Sequence, residues 1–178
     1  MAKSRAAVRR PAGVLGDAVL LKRLADVLGF TPLPAGREAL SALAVRLPAR
    51  FPPLYEQLVI AYRWPEPADL GPLALLPNPP GPDLAGLAAG IFRDPGLTDP
   101  LLAAGQLPFA FVPGTSGDPV CFDTTRRHPD RDAPVVQIAR IARIDPVEIH
   151  GSSRVQVVAE IAPSFRQIVD ELLEREEG

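Results

Sequence analysis

The chain has 178 residues and a formal net charge of −2, and its 47% hydrophobic and 22% charged residues are typical of a globular protein that can bury a core. The 22 prolines and 14 glycines argue against an all-helical fold, because proline interrupts helices. The near-neutral charge and scattered arginines argue against nucleic-acid binding, and no run of about 20 apolar residues is present to cross a membrane.

The sequence predicts a short N-terminal tail followed by one domain. Residues 1–13 are basic and contain no acidic residue, so we expect a flexible tail there. Residues 14–178 are expected to form a single domain, because no repeat or low-complexity linker divides them. The single cysteine, Cys121, excludes an internal disulfide framework, and the charges near the N-terminus argue against a signal peptide. We therefore expect a cytoplasmic protein.

Apolar residues at helical spacing predict helices over 17–29, 37–47 and 52–64, and a shorter one over 83–92. In the first helix Asp17 can cap the N-terminus, and Gly29 can end the helix in the left-handed conformation. Pro48 ends the second helix, and the prolines that open the third suit a first helical turn.

Short apolar or alternating runs between turn residues predict strands. These runs are 72–78, 107–114, 119–123, 134–141 and 154–161. Alternation in 119–123 places Val120 and Phe122 on one face and Cys121 and Asp123 on the other. Residues 134–141 are apolar on both faces, which is typical of a central strand.

The C-terminal segment predicts a helix of its own. Ser164 and Gln167 have the spacing of a capping box. An apolar stripe follows at i, i+3, i+4, i+7 and i+8: Phe165, Ile168, Val169, Leu172 and Leu173. Because helices and strands are segregated along the chain, we predict a single α+β domain with a largely antiparallel or mixed sheet of four to six strands. N-terminal helices and the C-terminal helix would pack against that sheet.

The stretch "GTSGDPVCFDTT", residues 114–125, comes nearest to a catalytic motif. Cys121 could be a nucleophile, but its neighbours are acidic and raise a thiol's pKa, and a cysteine within a strand commonly behaves as a small hydrophobe. The glycines could form a phosphate loop, but such a loop precedes a helix, whereas Pro119 and a strand follow here. The pattern favours a hairpin turn followed by a strand.

Metal-binding candidates are His128 with Asp130 and Asp132, and Glu148 with His150. The first set lacks the glycine and distal glutamate of a calcium-binding loop, and the second supplies two ligands where a site needs more. We therefore predict no metal and no cofactor.

Aromatic side chains near the end of the third helix are candidates for a partner surface. Tyr55, Tyr62 and Trp64 are not expected to face one core all together from a single helix and its exit, and amphipathic aromatic residues often anchor a partner. The alternative is that they pack beneath the proline-rich loops. Together with Asp118 and Asp123, which mark the two ends of the 119–123 strand, Tyr55 and Trp64 are our candidate partner-binding or structural residues.

Four motifs in order resemble the SMI1/KNR4 (SUKH) superfamily. They are "RLPARFPPLYEQLVIAY", "PFAFVPGTSGDPVCFD", "APVVQIARI" and "APSFRQIVDELL". They match the Leu-Pro and tyrosine helix, the Gly-Asp stretch that ends in Phe-Asp, the Pro-Val strand and the Ser-Phe helix of that superfamily. The similarity covers about residues 17–175. The family's usual Asn-Gly after the tyrosine helix is replaced by Arg63-Trp64-Pro65, and "ARIDPVEIHG" replaces its acidic-histidine stretch.

The resemblance implies a non-catalytic protein-binding module. Bacterial members are largely regarded as immunity proteins that bind and neutralise toxins of polymorphic toxin systems, and other members act as regulatory interaction proteins. The expected partner is therefore a protein, with a cognate toxin as one candidate, and neither nucleic acid nor membrane. The alternative is a hydrolase that uses Asp118 and Asp123 with a histidine, which requires these side chains to converge in a cleft.

Overall fold

The fold is that of a computed structural model, which describes residues 16–115, 117–141 and 154–178. The helices in these ranges are α1 (Asp17–Leu28), α2 (Arg37–Ala44), α3 (Pro53–Ala61), α4 (Ala85–Ile91), α5 (Pro95–Ala103) and α6 (Phe165–Glu177). The strands are β1 (Thr31–Pro32), β2 (Tyr62–Arg63), β3 (Ala68–Asp69), β4 (Ala74–Leu75), β5 (Gln106–Phe111), β6 (Pro119–Asp123), β7 (Val135–Ile141) and β8 (Arg154–Ala162). The predicted N-terminal tail, Glu148 and His150 lie outside the described residues.

Strands β3 to β8 form one six-stranded antiparallel sheet in the order of the chain, so each strand pairs with the strand that follows it. Strands β1 and β2 form a separate antiparallel pair. Helix α6 contacts α1, α3 and β8. The predicted α+β class, the sheet of up to six strands and the packed C-terminal helix are therefore confirmed.

The N-terminal helices begin close to their predicted positions, but two details differ. Helix α1 ends at Gly29 with a φ of 69°, as predicted. However, Gly16 and not Asp17 is its N-cap residue, and the Asp17 carboxylate instead pairs with Arg166 of α6. Helix α3 ends at Ala61, three residues before the predicted end, because the chain becomes extended from Tyr62 onward and forms β2.

The glycine-rich stretch between β5 and β6 is a hairpin connection, as predicted. Gly114 and Gly117 have φ values of 77° and 86°, which side chains rarely tolerate. The Thr115 hydroxyl accepts hydrogen bonds from the backbone N–H groups of Gly117 and Asp118 at 3.2 and 3.0 Å. The amide groups of Gly117 and Asp118 are therefore bound within the turn itself.

Helix α5 was not predicted, because prolines and a glycine occur throughout its sequence. Pro95 lies in the first turn, where its missing N–H does no harm, while Pro100 lies inside the helix. The buried Thr98 hydroxyl donates a hydrogen bond of 2.7 Å to the Ile91 carbonyl, which ties α5 to the end of α4. The predicted strand over 72–78 is correspondingly shorter and consists of Ala74–Leu75 alone.

The main core is formed by the sheet together with buried residues of α1, α2, α3, α4 and α6, and its centre is aromatic. Tyr55 of α3 contacts the rings of Phe109, Phe122 and Phe165 at centroid distances of 5.2, 5.4 and 5.5 Å. Phe109 and Phe122 stack on one another at 3.9 Å. Three of the four motifs that resemble SMI1/KNR4 thus meet in one cluster, so those motifs encode the core.

The opposite face of the sheet carries a smaller core. Cys121, Val136 and Ile138 pack there against Leu101 and the partly buried Leu97 of α5. This arrangement confirms the predicted alternation in β6, because Val120 and Phe122 belong to the main core whereas Cys121 faces the other way.

Strand β8 is the edge of the sheet, and its pairing with β7 is irregular. The register shifts twice, between Val135 and Val136 and between Gln137 and Ile138 of β7. Val157 and Val158, next to the second shift, are 41% and 51% exposed. Strand β7 lies between β6 and β8, which confirms its predicted interior position.

Candidate functional site

Tyr55 belongs to the protein core. Its side chain is fully buried, and burial raises its pKa well above the ordinary value. The hydroxyl group finds no hydrogen-bond partner in the described part of the chain. The structure thus places the Tyr55 ring inside the core and not on the surface.

Trp64 is also buried, at 3% exposure. Its indole stacks on Phe30 at 4.5 Å, and Nε1 donates a hydrogen bond of 2.8 Å to the Leu76 carbonyl. The expectation that Tyr55, Tyr62 and Trp64 could not share one core is wrong. It assumed a helix through residue 64, whereas the extended chain after Ala61 directs Trp64 independently of α3.

A buried arginine next to Trp64 was not foreseen. Arg63 is fully buried, and its Nη1 donates hydrogen bonds to the carbonyls of Val59 and Tyr62 at 2.5 and 2.9 Å. The buried Asn78 amide donates to the same two carbonyls, so together they satisfy the C-terminal end of α3. Burial lowers the pKa of Arg63, while the nearby Asp83 carboxylate opposes that effect. The hydrophobic pattern contains no signal for this pair.

Asp123 is the centre of a structural hydrogen-bond network. Its buried carboxylate accepts hydrogen bonds from Gln106 Nε2, Thr125 N and Oγ1, and Arg126 Nε at 2.6 to 3.1 Å. Burial alone would raise its pKa, but the hydrogen bonds from Thr125, Arg126 and Gln106 outweigh burial and hold the pKa below its usual range. Arg126 also bridges to Glu160 at 2.9 Å, which joins the end of β6 to β8.

Asp118 lies at the other end of β6 and accepts a hydrogen bond from Gln137 Nε2 at 3.1 Å. At about 3.3 Å per residue, the five steps from Asp118 to Asp123 span roughly 16 Å. His128 contacts neither carboxylate through a recorded hydrogen bond, and its Nε2 lies 3.3 Å from the Pro163 carbonyl. The described residues therefore do not bring the two aspartates together with a histidine, which the hydrolase hypothesis required.

Cys121 is buried in the smaller core. It is fully buried, and burial, followed by the Asp123 charge, raises the pKa of its thiol far above the ordinary value. A thiol in this state is a poor nucleophile, which agrees with the interpretation of Cys121 as a small hydrophobic residue.

A group of arginines at the surface was missed by the sequence interpretation. Arg50 binds the nearly buried Glu56 carboxylate through two hydrogen bonds, at 3.0 and 2.9 Å, while 55% of the Arg50 side chain remains exposed. Arg127 Nη2 donates a hydrogen bond to the Arg50 carbonyl, and Arg127 Nε is buried without a partner among the described groups. Residues far apart in the chain form this group, so local spacing could not predict it.

Arg131 extends the group. Burial, together with the nearby positive charge of Arg131, lowers the pKa of Arg127 despite the opposing effect of Glu56. Arg131 is exposed and has a φ of 68°, in the left-handed region that favours glycine. The group thus combines two like charges with a strained backbone.

An open groove lined by both polar and apolar groups lies beside Arg50. It has a volume of about 310 Å³ and is lined by Leu40, Ser41, Ala44, Val45 and Arg50. Val45 is 87% exposed, the largest value among the exposed large hydrophobic residues described. We call the groove together with Arg50, Arg127 and Arg131 the arginine surface.

Across the described ranges, no group of three or more His, Cys, Asp or Glu side chains is placed to hold a metal ion. None of the described helices is both long enough and apolar enough to cross a membrane. Comparisons with protein-family models, curated proteins and solved structures give no match. The resemblance to SMI1/KNR4 therefore stays an interpretation of the sequence motifs.

Proposed function

We propose that this chain is a non-catalytic, cytoplasmic protein-binding module of the SMI1/KNR4 type. Its proposed role is that of an immunity protein that binds and neutralises a toxin of a polymorphic toxin system, or of a regulatory interaction protein. Activity would consist of covering a partner's surface, with no chemical turnover.

The observation that carries this proposal is the position of the candidate catalytic groups. Asp123 accepts hydrogen bonds from three neighbouring residues, Asp118 binds Gln137 at the opposite end of the same strand, and the Cys121 thiol is buried. A general acid or base must reach a substrate, and a nucleophilic thiol must be partly exposed. Among the described residues, Asp118, Asp123 and Cys121 are thus bound or buried within the fold, which supports a non-catalytic role.

The core supplies further support for the type of module. The resemblance predicts that the tyrosine helix, the Gly-Asp strand and the Ser-Phe helix form one domain. Their aromatic residues Tyr55, Phe122 and Phe165 pack against one another with centroid distances of 5.4 to 6.1 Å. A single core built from these motifs supports the proposal that the chain has the fold of that superfamily. The identity of the partner is determined by surface residues outside this core.

The test uses the product of a toxin gene that neighbours the gene for this chain. The purified proteins are mixed, and their mass is measured by light scattering after size-exclusion chromatography. The toxin is also expressed in cells with and without this chain. We expect a stable complex and restored growth. A toxin that neither binds this chain nor is neutralised by it contradicts the immunity role.

A further inference from the structure

We propose that the arginine surface is the docking site of this module, and that it binds an acidic polypeptide segment in which an aliphatic side chain lies between carboxylates. This inference rests on the proposed function and specifies which surface would act and the chemistry of the partner segment.

Charge supports an acidic partner. Arg127 and Arg131 lie on either side of one turn, in which Arg131 N donates a hydrogen bond of 2.9 Å to the His128 carbonyl, and the Glu56 carboxylate that acts on Arg127 is already bound by both of its oxygens to Arg50. Asp132 lies near Asp130, His128 and Arg166, and its half-buried carboxyl accepts a hydrogen bond from Ala133 N. A carboxylate from a partner would therefore relieve the repulsion between Arg127 and Arg131, because guanidinium groups bind carboxylates well.

The groove supports a polypeptide over a nucleic acid. Leu40, Ala44 and Val45 supply the apolar part of its lining, beside the polar groups of Ser41 and Arg50. An aliphatic side chain of a partner can fill such a groove, and burying Val45 would remove exposed apolar area from water. A nucleic acid would instead need several more cations along its backbone, and the chain has a net charge of −2.

The backbone at Arg131 also supports a role for its side chain. Glycine would adopt a φ of 68° without strain, yet this position carries an arginine. Strained backbone positions of this kind are found disproportionately at binding sites. We therefore expect Arg131→Gly to weaken binding while the melting temperature stays the same or rises.

The experiment measures fluorescence anisotropy of a labelled 12-residue peptide of glutamates around a central Leu-Leu pair, at low salt. Comparison probes are the same peptide with glutamine at each glutamate and a single-stranded 12-nucleotide DNA. We expect a dissociation constant below about 1 mM for the acidic peptide. The glutamine peptide should bind at least about five-fold more weakly, since it forms no ion pairs.

Two variants locate the site. Arg131→Gln should weaken peptide binding about three- to five-fold through the loss of one ion pair. Val45→Asp should weaken it by about ten-fold or more, because it removes apolar contact and adds a repelling charge. The matched control is Arg175→Gln, since Arg175 is an exposed arginine of α6 whose guanidinium lies beside Gly71 and 4.0 Å from the Glu171 carboxylate, outside the residues that form the arginine surface. It should bind the peptide as the wild type does.

Peptide binding tests the arginine surface, whereas toxin binding tests the proposed immunity role, so the two proposals can fail separately. No binding of the acidic peptide, a preference for the DNA, or equal weakening by Arg131→Gln and Arg175→Gln would overturn the arginine surface as an acidic docking site. If a toxin binds the wild type and the Arg131→Gln and Val45→Asp variants equally well, the module binds through another surface. If the acidic peptide binds as expected and the toxin does not, the surface stands and the immunity role fails.

Discussion

The two faces of β6 are covered by hydrophobic clusters of very different size. Phe122 points into the main core, which α1, α3 and α6 cover, whereas Cys121 points into a small cluster that α5 covers with Leu97 and Leu101. Adjacent residues of one strand, both fully buried, thus belong to two environments. The difference teaches that burial alone does not measure how strongly a position is held, because the layer behind it also matters.

The largest effect should come from the deep face. Phe122→Ala should lower the free energy of unfolding by about 3–5 kcal/mol, since it leaves a cavity among Tyr55, Phe109 and Phe165 that their stacked and edge-on rings cannot close. Urea unfolding followed by circular dichroism measures the change. A loss under about 2 kcal/mol would show that the aromatic cluster repacks, and would contradict its central role.

The same measurement on the shallow face should give a smaller value. Leu101→Ala should cost about 2–3 kcal/mol, near the lower end for a buried leucine, because one short helix can shift into the space left behind. Equal losses for Leu101→Ala and Phe122→Ala would remove the proposed difference between the two faces.

The Asp123 network lies where β6 ends, and its contribution should depend on pH. Because the pKa of Asp123 is held below its unfolded value of about 3.9, its stabilisation is present above pH 4 and is lost as the pH falls through the lower, folded pKa. Asp123→Asn should therefore lower the free energy of unfolding by about 1–3 kcal/mol at pH 7.

The difference in free energy of unfolding between wild type and Asp123→Asn should stay constant at pH 6 and pH 5 and should narrow between pH 4 and pH 3, below the unfolded pKa of an aspartate. Asp118→Asn is the matched control at the other end of β6, where a single hydrogen bond from Gln137 can be kept by the amide oxygen. It should cost less than Asp123→Asn at pH 7. A gap that widens toward low pH would contradict the low pKa of Asp123.

The smallest expected effect is the difference between two free energies, that of the local opening that exposes Cys121 and that of global unfolding. Its thiol should be protected in the native state because it is fully buried and its pKa is raised. Labelling with a disulfide reagent should nevertheless proceed through a local opening of α5, with a free energy at least about 1 kcal/mol below that of global unfolding. Labelling rates measured across low urea concentrations give that energy. If the free energy of opening at Cys121 equals the free energy of global unfolding, the two faces of β6 become exposed together.

The sequence predicted those parts of the fold whose local pattern agrees with their environment. Helix α6 is an example: four of the five residues of its apolar stripe are buried and Leu172 is partly buried, and Ser164 Oγ accepts the predicted hydrogen bond from Gln167 N at 3.2 Å. The Gln167 side chain, however, binds Glu171 at 2.9 Å, so the reciprocal half of the capping box is absent among the described contacts.

The missed elements depend on contacts that no local pattern encodes. Prolines and a glycine within α5 indicate a loop, yet the buried Thr98 and Leu101 hold that segment against α4 and the sheet. The arginine surface brings together Arg50 and Arg127, which are 77 positions apart. Several candidate residues chosen for their chemistry are thus buried in the structure, whereas the surface arginines come together through tertiary contacts alone.

The two register shifts in β8 have a consequence for how copies of this protein behave when concentrated. An exposed edge strand invites another chain to continue the sheet, and such growth requires an unbroken ladder of hydrogen bonds. Between the two shifts, the regular pairing is limited to Glu160 and Ala159 opposite Val136 and Gln137. A strand of another chain that paired with β8 would meet the same irregular backbone and could not stay in register across the two shifts. The two shifts leave the four pairs from Val157 to Arg154 as the longest regular run of this nine-residue edge, which shortens the ladder on which another chain can align even with Val157 and Val158 exposed.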